Sequence, residues 1–248
     1  MSPPVSSAPV RHRWTPALLF LPILSGAILL RMAARRPTLL ITGFGPFPGV
    51  PDNATTQLVP ELAELARRRW PGYRCEFAVL PTQWRAGPQL VAEMIQELKP
   101  SVTLHFGVSS KASGFTIETR GLNLARWLPD AAGWFPDTAA LSLEGPESLA
   151  ASVPTNLIVQ RLRYRGLPVV LSRDAGGYLC NAVLYSALEQ ARRAPWPMKN
   201  GFVHLPSTLA RQGPPARGMP SALTWARTIE GSLEIIGATL GRPPARVG

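Results

Sequence analysis

A cysteine and a histidine stand 24 residues apart in the chain, each placed where it could take part in covalent chemistry. Cys180 follows the apolar run GLPVVLS and the short turn Asp174–Gly177, and it opens a stretch of apolar residues at helical spacing. A thiol at the start of a helix lies near unpaired N–H groups and the positive end of the helix dipole, which favour the reactive thiolate. The same N–H groups can hold an oxyanion. The alternative is a small buried cysteine between helix and sheet.

His204 lies late in the next predicted strand, GFVHLP. Because parallel strands end at one edge of a sheet, we expect Cys180 and His204 to meet there. A histidine beside a thiol accepts its proton, stabilises the thiolate and later protonates a leaving amine. A third group must then orient the imidazole, and either Glu118 or Asp174 could do so. The alternative is a hydrogen-bonded core histidine, which is the interpretation we favour for His105.

The elements around these residues alternate between strand and helix from residue 37 onward. This order predicts an α/β fold, a three-layer sandwich with a twisted, mainly parallel central sheet and helices on both faces. We expect residues 37–248 to form a single domain. The predicted strands cover about 38–44, 75–81, 101–108, 167–172 and 201–206, with an extended piece at 114–124, and the predicted helices 53–70 (capped by Asn53 or Thr55), 86–100, 147–164, 180 onward and 220–240.

Composition excludes several classes of function. The net charge of +11 includes five arginines in residues 1–36, and the remaining basic residues form no aromatic-interleaved stripe, so nucleic-acid binding is not expected. Two cysteines provide no disulfide framework, which favours a reducing compartment and a cytoplasmic location. The three histidines and two cysteines form no metal-binding spacing, so neither a metal nor a cofactor is expected.

The N-terminal segment, residues 1–36, reads as a disordered tail followed by a short apolar run at residues 16–30, flanked by arginines. The run is short for a membrane span, which needs roughly 20 apolar residues. It could be a weak membrane anchor, a cleaved export signal, or a dispensable extension upstream of a start at Met32.

Four motifs, in this order, resemble one known family. They are ITGFGPFPGVPDNATTQLV, FTIETRGLN, SRDAGGYLCN and GFVHLP. Together they closely resemble the pyroglutamyl peptidases of peptidase family C15, and the resemblance runs from about Thr38 to the C-terminus. It implies a thiol protease that hydrolyses the amide bond after an N-terminal pyroglutamyl residue through an acyl-enzyme. It also suggests a homo-oligomer.

The resemblance implies a role for each matching residue. Cys180 would be the nucleophile, His204 the general base and acid, and Glu118 the group that orients the histidine, leaving Asp174 as a turn residue. Arg126 would lie near the oxyanion, although its spacing from the glutamate is shorter here than in the family. The residues implied to bind substrate or shape its pocket are Phe44, Phe47, Tyr178 and Leu179, with Asn53 holding the first loop.

One position departs from the family pattern. After the third strand the family often has a glutamine that shapes the pocket, where this chain has Val108. A related hydrolase with a different small acyl-amide specificity is therefore an alternative. A non-catalytic membrane-tethered binding protein is a third reading, against which the intact Cys180, His204 and Glu118 argue. The tryptophan-rich stretch RWLPDAAGWFPD could shield the pocket or contact another subunit.

Overall fold

Strands and helices alternate along much of the chain, with four successive strands in its middle, in the computed structural model, which describes residues 36–209 and 223–243. The strands are β1 (Thr38–Phe44), β2 (Arg74–Leu80), β3 (Val102–Ser109), β4 (Phe115–Glu118), β5 (Arg120–Leu122), β6 (Ser148–Ala150), β7 (Val169–Ser172) and β8 (Lys199–Pro206). The helices are α1 (Thr55–Arg69), α2 (Ala86–Leu98), α3 (Thr155–Tyr164), α4 (Leu179–Arg193) and α5 (Trp225–Thr239).

Six of the strands form one twisted sheet in the order β2-β1-β3-β8-β4-β7. The strands from β2 to β8 run parallel, while β4 is antiparallel to β8 and parallel to β7. The two remaining strands, β5 and β6, form a small antiparallel sheet that packs on α4. The predicted mainly parallel sheet is therefore confirmed, with a reversal at β4.

Helices cover both faces of the sheet, as the three-layer prediction requires. On one face α1, α3 and α5 bury a core against residues such as Leu39, Leu104 and Val203. On the other face α2 and α4 bury a second core against Leu40, Phe44 and Phe202. Successive strand residues point to opposite faces, which explains why neighbours such as Leu39 and Leu40 enter different cores.

Two predictions about local structure are wrong. The predicted helix over 147–164 begins only at Thr155, because Val153 precedes Pro154 and is thereby disfavoured in the helical conformation. Residues Ser148–Ala150 form β6 instead. The predicted N-cap of α1, Asn53 or Thr55, is also wrong. The residue at the N-cap position is Ala54, which has no side chain that could cap the helix.

The predicted reason for Cys180 and His204 to meet is also wrong in part. We expected the strands before Cys180 and around His204 to end at the same edge of a parallel sheet. Instead β4 lies between β7 and β8, and β7 runs opposite to β8. The loop over residues 173–178, rather than a shared strand direction, leads the chain to the start of α4.

No helix in the two described stretches is both long and apolar enough to cross a membrane. The apolar run at residues 16–30 lies outside the described residues, so its three interpretations, a membrane anchor, a cleaved export signal or a dispensable extension, stay open. The single domain predicted over residues 37–248 stays a prediction.

Candidate active site

The ten residues that the sequence predicts to catalyse the reaction, bind substrate or shape its pocket all line one cavity of about 610 Å³. It opens beside the ends of β3 and β8 and the start of α4. The ten are Phe44, Phe47, Asn53, Val108, Glu118, Arg126, Tyr178, Leu179, Cys180 and His204.

His204 and Glu118 form a buried pair in the wall of this cavity. The Nδ1 atom of His204 donates a hydrogen bond of 2.8 Å to Oε1 of Glu118. Their side chains are 8% and 1% exposed, so water competes little for this bond. The antiparallel register of β4 and β8 pairs Glu118 with Phe202 and Thr116 with His204, which sets the two side chains close together. The bond fixes the orientation of the imidazole.

Cys180 and Glu118, the two neighbours of the His204 ring, both raise its pKa. Burial lowers this pKa, but the charge and hydrogen bond of Cys180, followed by the hydrogen bond and charge of Glu118, raise it to about 9. At neutral pH the imidazole is therefore held protonated between a sulfur and a carboxylate. A protonated histidine beside a cysteine is the arrangement that supports a thiolate nucleophile.

Cys180 is the second residue of α4, and its side chain is only partly buried. No side chain among the described residues caps this helix end, and its first backbone bond runs from Ala182 N to Tyr178 O at 3.0 Å. The N–H groups of Leu179 and Cys180 precede that bond and lack a helical partner. They are suited to hold a negatively charged oxygen beside the sulfur.

Gly107 and Phe202 shape the floor under Cys180, and neither was among the residues indicated by the sequence. A Cβ atom on Gly107 would lie 2.8 Å from Cζ of Phe202 and 3.0 Å from Sγ of Cys180, so only glycine leaves room for the thiol. The Phe202 ring lies 4.8 Å from that of His204. The available signal was strand alternation, because Phe202 is two residues before His204 and shares its face.

A family model of pyroglutamyl peptidases, peptidase family C15, matches residues 37–233. The chain belongs to this family. The match covers every strand and most of the described helices, so it includes the whole cavity. It confirms the resemblance that the four motifs predicted.

Curated members of the C15 family are similar over most of their length. The chain is 32% identical over 172 residues to a pyrrolidone-carboxylate peptidase of Thermococcus litoralis, covering 68% of this chain and 76% of the relative. It is 32% identical over 199 residues to a protein of the same name from Enterobacter sp., and this match covers 79% of this chain and 89% of the relative.

Solved structures of the family share the fold. The pyrrolidone carboxyl peptidase of Thermococcus litoralis superposes with a TM-score of 0.73 at 24% identity, covering 86% of this chain and 99% of that one. A mutant of the Pyrococcus furiosus pyrrolidone carboxyl peptidase gives a TM-score of 0.73 at 24% identity, and the match covers 82% of this chain and 98% of that one. At this identity the likeness establishes the α/β sandwich.

The aromatic side of this C15 cavity is built from three rings, those of Phe44, Phe47 and Tyr178, and Trp84 packs behind them. Phe44 ends β1 and is buried, whereas Phe47 is half-buried in the loop that follows. Phe47 and Tyr178 have ring centroids 6.2 Å apart, and Trp84 meets Tyr178 edge-on at 5.3 Å. Flat apolar groups are well accommodated between such faces.

Asn53 ties the loop after β1 to the start of α1. Its Nδ2 donates to Gly45 O at 3.0 Å, while its Oδ1 accepts from the N–H of Thr55 at 3.1 Å and from the Thr55 hydroxyl at 2.9 Å. Although Asn53 is not at the N-cap position, it satisfies one of the first N–H groups of the helix. This anchoring fixes the loop that carries Phe47.

Arg126 reaches the cavity across the turn before α4. Its backbone N–H donates to Gly177 O at 2.8 Å, and a Cβ on Gly177 would lie 2.4 Å from its Cγ. The close packing of the arginine on the glycine places the guanidinium near the start of α4. Asp174, the alternative third group of the sequence analysis, accepts from Gly176 N at 2.9 Å within the exposed turn.

His105 belongs to the fold rather than to the cavity. Its Nδ1 is 2.7 Å from the Thr42 hydroxyl, and full burial lowers its pKa to about 3, so it is neutral. Among the described residues, no group of three or more His, Cys, Asp and Glu side chains is arranged to hold a metal ion.

Proposed function

We propose that this protein is a cysteine peptidase that removes an N-terminal pyroglutamyl residue from peptides. The observation that carries the proposal is the 2.8 Å bond between His204 and Glu118 in the same cavity as Cys180, at the uncapped start of α4. Membership of the C15 family supports the substrate class.

In this mechanism the Cys180 thiolate attacks the carbonyl carbon of the pyroglutamyl group. The carbonyl oxygen becomes negatively charged and is held by the N–H groups at the start of α4, with Arg126 nearby. His204 then gives its proton to the leaving amine, which produces a pyroglutamyl thioester. Water, deprotonated by His204, hydrolyses the thioester and restores the thiolate. Glu118 keeps the imidazole aligned throughout.

The pocket favours a neutral ring over a charged amine. Phe44 and Phe47 present apolar faces to the lactam, whose N–H and C=O we expect to pair with backbone groups. Two carboxylates also line the cavity: Glu118 binds His204 through Oε1, and Asp174 accepts from Gly176 in the exposed turn. An ammonium group held between the apolar faces of Phe44 and Phe47 would lose its hydration, at a cost of several kcal/mol.

The test compares kcat/KM for amides of pyroglutamate, glutamine and proline. We expect the pyroglutamyl amide to be preferred by on the order of a thousandfold, by the usual conversion of free energy to rate. Cys180→Ser should abolish turnover, whereas Cys75→Ser is the matched control, because Cys75 is buried in β2 and burial raises its pKa to about 11. Equal rates on all three amides, or wild-type turnover by Cys180→Ser, would refute the proposal.

Val108 supports a second candidate, a relative with altered acyl-amide specificity. The residue lines the cavity, and its side chain cannot hydrogen-bond a lactam as a glutamine could. Under the main proposal, Val108→Gln should raise kcat/KM for the pyroglutamyl amide. No gain would remove Val108 as a reason to expect an altered specificity and would leave the proposed triad untouched.

We further propose that the enzyme works in the cytoplasm as a homo-oligomer. Both cysteines are free, which supports a reducing compartment, and the oligomer rests on the family resemblance. Weak membrane association through residues 16–30 is the alternative. Cell fractionation and sedimentation of the full chain test these two points.

A further inference from the structure

An exposed aromatic surface lies on the loop over residues 124–135, which we call the aromatic loop. Trp127 is 69% exposed and Trp134 is 73% exposed, and Leu128 and Phe135 are also exposed. The rings of Trp127 and Phe135 are stacked with centroids 5.2 Å apart. Large apolar side chains clustered on a surface in this way usually mark a binding site.

The aromatic loop is fixed by buried polar contacts. The carboxylate of Asp130 is 3% exposed and accepts from the N–H groups of Trp84 at 3.0 Å, Ala132 at 2.8 Å and Trp134 at 3.0 Å. The indole Nε1 of Trp84 donates to Leu128 O at 2.8 Å. Because these bonds define the backbone on both sides of Asp130, the exposed rings are held in place before any ligand arrives.

The aromatic loop is continuous with the catalytic cavity. Arg126 lines the cavity and directly precedes Trp127, and its backbone is bonded to Gly177 in the turn before α4. Tyr178, which also lines the cavity, donates its hydroxyl to Pro129 O at 3.1 Å. The exposed rings therefore begin at the wall of the cavity, next to the start of the helix that carries Cys180.

A second hollow of about 310 Å³ lies under the aromatic loop. Trp84, Trp134 and Phe135 line it, together with Asp130 and the ion pair of Arg85 and Asp137. Trp84 lines this hollow and Tyr178 lines the catalytic cavity, and the two rings touch edge-on. The hollow and the cavity are thus neighbours that share this pair of rings as a wall.

We propose that the aromatic loop binds the leaving part of the substrate, taking an apolar side chain from the two residues that follow the pyroglutamyl group. This inference rests on the proposed function. The bond to be cleaved must lie at Cys180, and a cavity of about 610 Å³ is much larger than one lactam, so it has room for the first part of the leaving peptide, which must then pass over the rim. The aromatic loop and its hollow are apolar surfaces beside that rim, next to Arg126 and Tyr178.

The experiment compares three substrates, pyroglutamyl-Phe-Ala-amide, pyroglutamyl-Ala-Phe-amide and pyroglutamyl-Ala-Ala-amide, by release of pyroglutamate. In the wild type we expect at least one phenylalanine peptide to exceed the Ala-Ala peptide by about tenfold in kcat/KM, mainly through a lower KM. In Trp127→Ala and Trp134→Ala that ratio should fall towards one. Tyr164→Ala removes a ring that is 78% exposed at the end of α3 and should leave the ratio unchanged.

Each other outcome identifies what failed. If the wild type cleaves all three peptides at the same rate, the aromatic loop does not bind the leaving group, while the proposed function stands. If none is cleaved, the proposed function itself is wrong. If Trp127→Ala slows all three equally and lowers the molar mass measured by light scattering, the surface joins two copies of this chain, and the inference is overturned.

Discussion

His105 and His204 lie on adjacent strands of one sheet, yet their surroundings keep His105 neutral and His204 positively charged at neutral pH. Full burial with one hydroxyl partner lowers the pKa of His105 to about 3. Burial also opposes the charge of His204, but the sulfur of Cys180 and the carboxylate of Glu118 outweigh it and raise the pKa to about 9. The difference comes from neighbouring charges, because both rings are buried.

These pKa values predict that His204 titrates in an accessible pH range and that His105 does not. Ring resonances of His204 should shift with a midpoint near pH 9, and those of His105 should not shift between pH 5 and pH 10. Glu118→Gln should lower the His204 midpoint, because a neutral amide no longer stabilises the imidazolium. The measurement is an NMR titration of the wild type and this variant. A wild-type His204 midpoint near 6.5, the ordinary value, would contradict the ion pair.

The same shift has a consequence for stability. Since the pKa of His204 is higher in the folded protein than in the unfolded chain, its contribution is fully present below about pH 6.5 and is lost as pH rises through about 9. Urea unfolding across this range should show a fall in stability that is smaller in His204→Gln.

At the residue scale, the sequence indicates the proposed reacting groups but not the space they need. Cys180, His204 and Glu118 carry chemistry in their own side chains, and motif and strand position indicate them. Gly107 and Phe202 act through shape, and although strand alternation places Phe202 on the face of His204, it does not show what the ring packs against. Their contribution depends on β3 and β8 lying side by side, and only the fold supplies that contact.

At the scale of elements, β4 is the strand that sequence reasoning could not place. Its four residues were expected only as an extended piece, and neither their partners nor their direction could be read from so short a run. Lying between β7 and β8, β4 reverses the direction of the sheet and puts Glu118 beside His204. Cys180 and His204 do line one cavity, as expected, but not because the strands that precede them end at the same edge of the sheet.

The contact between β3, β8 and α4 can be tested by adding one methyl group at Gly107. In Gly107→Ala the new Cβ would meet both Phe202 and Cys180, and these are held by packing, so the thiol or the ring must move. We expect kcat/KM to fall at least tenfold and stability to fall by about 1–3 kcal/mol. The readouts are turnover, the rate of thiol alkylation and urea unfolding.

The matched control is Gly72→Ala, in the turn before β2. A Cβ there meets no atom within 4 Å, so both activity and stability should stay near wild type. Full activity in Gly107→Ala would show that the floor of the cavity is not shaped by this glycine.

At the scale of the whole molecule, the catalytic domain should fold without the N-terminal segment. The first strand begins at Thr38, and the family match begins at residue 37. Every residue of β1 is buried, and this strand pairs with both β2 and β3, so the central sheet needs the chain from here onward. Alternation of strands and helices predicts this boundary, whereas residues 16–30 lie outside the described residues.

A chain that begins at Met32 should therefore be soluble, folded and as active on a pyroglutamyl amide as the full chain. A chain that begins at Gly45 is the matched control, because it lacks β1 and leaves β2 and β3 without the strand that joins them. We expect this shorter chain to lose cooperative unfolding and activity. Circular dichroism, urea unfolding and kcat/KM compare the three chains. If the Met32 chain is insoluble or inactive while the full chain works, residues 1–31 are part of the catalytic domain, and the predicted boundary is wrong.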